Sequence, residues 1–243
     1  MKKIFFILYC LGFCGCAQQY SMPKYFEYKP VQSNEHNLAT WQKITNNNQP
    51  IHIYIEGDGH AFYTNGTPTA DPTPLDSFMR NLAATDSTVN VAYIARPCQF
   101  VIDSHCDIHD WTDARFSEKN INSVAGAIKQ IADGRDIILI GYSGGALVTG
   151  IIIRDNPDMK IKKWITIAGV LNHHDWTNHF GDATLDKSQD LDSLPRVSQI
   201  HYVGDKDDVV PIALSQKWID TNKLKIIHGA THNKFPNLEI DFN

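Results

Sequence analysis

The stretch Ile137-Ile138-Leu139-Ile140-Gly141-Tyr142-Ser143-Gly144-Gly145-Ala146-Leu147-Val148 limits what this chain can fold into more than any other. Four apolar residues, three of them β-branched, read as a buried strand. The apolar positions 146–148 and 151–153 read as a helix with a buried face. Between them Gly141-x-Ser143-x-Gly145 must turn the chain sharply. Such a turn strains the backbone at Ser143, and the flanking glycines remove side chains that would collide. The hydroxyl is then expected at the carboxyl edge of a sheet. The N–H of Gly144, at a helix start, is expected to face any oxyanion formed there. On its own the five-residue pattern also fits an ordinary glycine-rich connection, so the remaining residues decide.

At 243 residues the chain suits one domain with one sizeable core. The formal charge of -5 becomes -7 without the first sixteen residues, because Lys2 and Lys3 leave and no acidic residue does. That balance offers no basic stripe, and no nucleic-acid partner is expected. Met1-Lys2-Lys3 followed by apolar residues from Ile4 to Phe13 reads as a signal peptide, too short for the ~20 residues of a membrane span. Its end, Phe13-Cys14-Gly15-Cys16-Ala17, resembles the bacterial lipobox. In that motif the cysteine after a small residue is acylated and becomes the mature N-terminus. Residues 1–16 would then be removed, and Cys16 would hold the protein to a membrane by its lipid. An ordinary cleaved signal peptide is the competing reading, and both export the protein. Cys98 and Cys106 are left as an even pair in an oxidising compartment, which predicts a disulfide. Closing so short a loop would add about 2–3 kcal/mol. His105 and His109 beside Cys106 suggest a metal, but the spacing matches no standard zinc site, so no metal is expected.

Residues 17–50 read as a tether followed by an early strand pair near 25–31 and 38–44. Ile51-His52-Ile53-Tyr54-Ile55 is a strand running into Glu56-Gly57-Asp58-Gly59. Thr73 and Pro74 suggest a helix start, with Leu75, Phe78, Met79 and Leu82 on its apolar face. A strand over 89–95, a helix from Ser117 to Gly134, the central strand and helix, and a strand over 164–169 follow. Residues 172–196 are polar and irregular; a metal cluster of His173, His174 and His179 is conceivable, and a substrate-covering insertion fits better. A strand over 198–203, a helix over 211–220 and a strand over 224–227 complete the pattern. Strands alternating with helices predict a mostly parallel sheet covered on both faces.

In such sheets the loops at the carboxyl ends of the strands meet at one edge. A serine hydroxyl needs a base within hydrogen-bond reach, and the base needs a carboxylate to hold its tautomer. Ser143, an aspartate near 207 and His232 occur in that order, each after an expected strand.

On these residues the chain resembles the α/β-hydrolases, and more narrowly the exported lipoprotein-type members with the motif Ile55-Glu56-Gly57-Asp58-Gly59. The likeness runs from about residue 51 to the C-terminus. It implies an α/β-hydrolase fold over 51–243 and a serine hydrolase that cleaves an acyl ester or thioester through an acyl-enzyme. Gly141-Tyr142-Ser143-Gly144-Gly145 gives Ser143 the nucleophile's role, and Gly229-Ala230-Thr231-His232 gives His232 the base's. The family's acid lies three residues after Gly204, which selects Asp207 over Asp205, with Asp208 a competitor. His228 is read as structural. The oxyanion donors would be the N–H groups of Gly144 and Asp58, or Gly59 in place of Asp58. Many members have His-Gly where this chain has Glu56-Gly57. An acidic Asp58 side chain there must point away or be neutralised. The substrate would be a small-molecule or lipid acyl compound, and the chemistry needs no cofactor. A non-catalytic binding lipoprotein on the same fold, or an acyltransferase or peptidase with the same three residues, are the alternatives.

Overall fold

The computed structural model describes residues 22–243; the signal segment and Cys16 lie outside the described residues. The central sheet grows from apolar runs that are buried on both faces. Strand β5 (Ile51–Ile55) is buried at every position. Ile51, Ile53 and Ile55 face one core, and Tyr54 faces the other. Among the described residues, ten strands and five α-helices follow one another as β1 (Glu27–Tyr28), β2 (Val31–Ser33), β3 (His36–Leu38), β4 (Thr40–Ile44), β5, α1 (Phe78–Thr85), β6 (Asn90–Ile94), α2 (Glu118–Ala132), β7 (Ile137–Tyr142), α3 (Gly144–Asp155), β8 (Ile161–Ile167), α4 (His173–Phe180), β9 (Ser198–Gly204), α5 (Ile212–Gln216) and β10 (Leu224–Ile227). Eight strands form one sheet in the order β1-β4-β6-β5-β7-β8-β9-β10. Pairing is parallel from β6 through β10, while β4 pairs antiparallel with both β6 and β1.

Helices α2 and α3 cover one face, packing Ile121, Val124, Ile128, Leu147 and Ile151 against the sheet. Helix α1 covers the other with Met79 and Ala83. Burying each such side chain contributes about 1.5–3 kcal/mol. Helix α2 begins where the Ser117 hydroxyl accepts from Asn120 N, as the sequence predicts. It ends at Asp133 in the left-handed region, next to Gly134 at φ +77°.

The early strand pair expected near 25–31 and 38–44 is present: β1 and β4 pair antiparallel at the edge of the sheet, with the hairpin of β2 and β3 between them in the chain. Three local expectations are corrected. Helix α1 begins at Phe78, not at Pro74. Thr73 instead accepts a hydrogen bond from Phe100 N at 2.7 Å, and Leu75 is exposed. The polar stretch 172–196 opens with a real helix, α4, capped by the Asn172 side chain accepting from Asp175 N. Helix α5 stops at Gln216, short of residue 220.

Candidate active site

Ser143 sits between β7 and α3 at φ 50°, ψ -126°, a conformation costing of order 1–3 kcal/mol outside glycine. Three backbone bonds hold it there. Ser143 N donates to Ile167 O at 3.0 Å, and Ser143 O accepts from Ala146 N and Val170 N, each at 3.0 Å. The glycine at 145 is a requirement of packing, since a Cβ there would lie 2.4 Å from the Glu56 carbonyl oxygen.

The three side chains singled out in the sequence meet. His232 Nε2 lies 3.0 Å from Ser143 Oγ. His232 Nδ1 lies 3.0 Å from Asp207 Oδ2 and 3.2 Å from Oδ1. The Asp207 carboxylate is fully buried and also accepts from Val209 N and Val210 N. These bonds fix a carboxylate against one ring nitrogen and leave the other facing the serine. Asp208 is exposed and makes no such contact. Asp205 pairs instead with His228 at 3.0 Å and accepts from Gly229 N, stitching the loops after β9 and β10 together at the surface.

Gly144 N and Asp58 N make no hydrogen bond among the described residues. The Asp58 side chain is neutralised, as the sequence argument requires. Arg96 Nη1 lies 3.1 Å from Oδ1, and Arg115 Nε lies 3.2 Å from Oδ2. The carboxylate packs so closely on Gly144 that a Cβ at 144 would lie 2.0 Å from Oδ1. Gln99 holds the same loop, donating to Gly57 O at 2.9 Å and accepting from Arg96 N at 3.0 Å. Gly59, at φ +66°, continues the turn against the Pro72 carbonyl. Glu56 is fully buried beneath, accepting from Tyr93 Oη at 2.6 Å and from Gly57 N at 2.9 Å. Burial pushes its carboxyl up to about 7, against the opposing pull of those two bonds.

Ser143 and His232 open into a cavity of about 1090 Å³, with Phe62, Tyr142, Val170 and Trp176 among its apolar walls. The 172–196 segment supplies Trp176, Thr177 and 182–185 to that lining. Trp176 Nε1 donates to Val209 O at 2.7 Å, fastening α4 over the loop that carries Asp207.

Cys98 and Cys106 form the expected disulfide, with Cα atoms 5.7 Å apart. Their thiols are therefore not metal ligands, and His109 pairs with Asp113. His173 and His174 do not diverge as neighbours on a chain often do; their rings stack 4.3 Å apart beside Asp190. Asp190, however, already accepts from the backbone N–H groups of His173, His174 and Leu191, and Nδ1 of His174 lies 2.8 Å from Oδ2. Three backbone donors and one histidine ring nitrogen thus crowd this carboxylate.

Arg96, Gln99 and Arg115 are not legible in the sequence as parts of the site. The available signal was slight: Arg96 closes an otherwise apolar strand, and charge at that point needs a buried partner.

No protein-family model matches the chain, and no curated protein matches it. Solved structures do. It is similar to an α/β serine hydrolase without a lid from Xanthomonas campestris, at 14% identity and a TM-score of 0.53 over 87% of each chain. It is similar to Est1E from Butyrivibrio proteoclasticus, at 16% identity and a TM-score of 0.54 over 84% of this chain and 90% of that one. An α/β serine hydrolase homologue from Coxiella burnetii matches at 16% identity and a TM-score of 0.51, over 88% of this chain and 91% of that one. The chain has the α/β-hydrolase fold.

Proposed function

We propose that this protein is a serine hydrolase that cleaves an acyl ester or thioester through an acyl-enzyme. The observation that carries the reading is the continuous contact from Ser143 Oγ through His232 to the buried Asp207. In this reading His232 Nε2 takes the hydroxyl proton as Ser143 Oγ bonds to the substrate's carbonyl carbon. The carbonyl π electrons move to oxygen, where the N–H groups of Gly144 and Asp58 receive the charge. Collapse expels the alcohol or thiol, which takes its proton from His232. Water then repeats the sequence on the acyl-enzyme, releasing the acid and restoring Ser143. Asp207 keeps the proton of His232 on Nδ1 and balances the imidazolium.

A fluorophosphonate probe is expected to label the full chain and to leave Ser143→Ala unlabelled. Labelling that persists in that variant removes Ser143 from the mechanism. Turnover of p-nitrophenyl esters of increasing chain length then reads the acyl preference.

The proposal extends to place. A cleaved signal segment with lipid on Cys16 would export the protein and anchor it, and the disulfide fits an oxidising compartment. Incorporation of labelled palmitate into the expressed chain, absent in Cys16→Ser, is the expected result. Equal incorporation in both excludes Cys16 as the anchor.

A further inference from the structure

A carboxylate stands beside the place where the reaction would create a second negative charge. In the reading above, the substrate's carbonyl oxygen becomes an oxyanion against the N–H groups of Gly144 and Asp58. The Asp58 side chain lines the cavity that holds Ser143. It packs on Gly144 so closely that a Cβ there would lie 2.0 Å from Oδ1 and 3.0 Å from Oδ2. A unit negative charge this near opposes the oxyanion that the two N–H groups are placed to receive.

Two buried cations hold that carboxylate. Arg96 Nη1 donates to Asp58 Oδ1 at 3.1 Å, and Arg96 Nη2 donates to the Arg115 carbonyl. Arg115 Nε lies 3.2 Å from Asp58 Oδ2. Both guanidiniums lie against the Phe116 ring, at 5.2 and 5.6 Å from its centroid. Burial disfavours the charge of Arg96, and Asp58 is the chief group that opposes this. A single cation would suffice to latch the 56–59 loop to this wall. With two, the guanidiniums and the carboxylate sum to +1, and arginine keeps its proton even when buried. The Nε atoms of both arginines are closed to solvent, so their influence passes through Asp58 and through space, not through contact with the substrate at those atoms.

We propose that Arg96 and Arg115 are positioning residues that act on the reaction through Asp58. Together they turn the potential at the oxyanion from unfavourable to favourable, so the rate of acyl transfer depends on both cations. This inference rests on the serine-hydrolase reading above.

The test is a set of charge variants of the full chain, read with p-nitrophenyl butyrate: Arg96→Gln, Asp58→Asn and the two combined. Arg96→Gln leaves one cation against one anion, with the anion the nearer to Gly144. Its kcat is expected to fall roughly 10–100-fold, the effect of one unit charge about 6–10 Å from an oxyanion at an effective dielectric of ~20. KM is expected to move less than about threefold, because the interaction is made only as charge develops. Inhibition by a trifluoromethyl ketone, which Ser143 Oγ converts to a hemiketal oxyanion as His232 takes the proton, is expected to weaken by a similar factor to kcat. Adding Asp58→Asn removes the anion and restores the sum of +1, so the double variant is expected to be roughly tenfold faster than Arg96→Gln. A purely structural latch gives the opposite sign: the double variant has lost a partner on each side and is no faster, which overturns the proposal. An unchanged kcat in Arg96→Gln overturns it too. Should Arg96→Gln show no cooperative urea transition, Arg115→Gln, which leaves the Arg96–Asp58 bond whole, carries the same comparison with the same signs and refutations. Failure of the underlying reading looks different: an unaltered chain that neither takes up fluorophosphonate nor turns over the ester overturns the hydrolase reading and this inference together.

Discussion

Glu56 provides a quantitative check on the buried floor of the site. Its carboxyl is wholly enclosed, and burial moves it from 4.5 to about 7. At about 1.4 kcal/mol per pH unit this displacement is worth about 3 kcal/mol. The sign follows from proton counting. Below 4.5 the group is protonated in folded and unfolded chains alike. Between 4.5 and 7 the unfolded chain gives up the proton while the folded chain keeps it, so rising pH favours unfolding. Above 7 the full destabilisation is present. Glu56→Gln mimics the protonated acid: its amide oxygen can accept from Gly57 N, and its amide nitrogen can donate to Tyr93 Oη. Urea denaturation of both proteins from about pH 4 to pH 9 is the assay. The variant is expected to match the parent at low pH and to exceed it by about 3 kcal/mol at high pH, the gap opening as the pH passes through neutrality. Two parallel stability profiles would refute the reasoning, because Asp76 and Arg80 nearby would then hold Glu56 in one protonation state throughout.

Three other outcomes are expected. Asp207→Asn should lower kcat roughly 10³–10⁴-fold with the Ser143–His232 contact intact, because an amide can donate to His232 Nδ1 and favour the wrong tautomer; a loss below tenfold would count against Asp207. Gly145→Ala should lower stability by about 2–3 kcal/mol, or roughly 5–10 °C in Tm, since the new methyl meets two main-chain oxygens 2.4 and 2.7 Å away. Reduction of Cys98–Cys106 should cost about 2–3 kcal/mol of stability, read as a lowered urea midpoint with reductant; an unchanged midpoint would show that the bond constrains little.

The parallel strands were legible because burial on both faces demands unbroken apolar runs, and Ile137-Ile138-Leu139-Ile140 leaves no other reading. Ser143 was legible because a sharp turn sets it directly beside Gly144, and His232 because it closes the short loop that opens at Gly229. Other features depended on partners far away in the chain. Arg96 and Arg115 look like surface cations until Asp58 is seen between them. The start of helix α1 is not legible because Thr73 and Pro74 look like a cap and a first turn, whereas Thr73 is committed to Phe100. Helix α4 was hidden by polar composition, since its outer side is wet and its anchors, Trp176 to Val209 and Asp175 to Trp218, are tertiary.

The strand order divides the catalytic edge into two halves. Ser143, Asp207 and His232 follow β7, β9 and β10, on one side of β5, whereas Arg96 follows β6 on the other, and Arg115 comes after it in the chain. The proton relay and the arginine wall beside it are therefore carried by separate blocks of polypeptide, which meet where Phe116 stacks on His173 and Arg115 lies against Trp176. Side chains within 96–116 can be exchanged without replacing any of Ser143, Asp207 and His232. A lineage built on this plan can change its diet without relearning its chemistry.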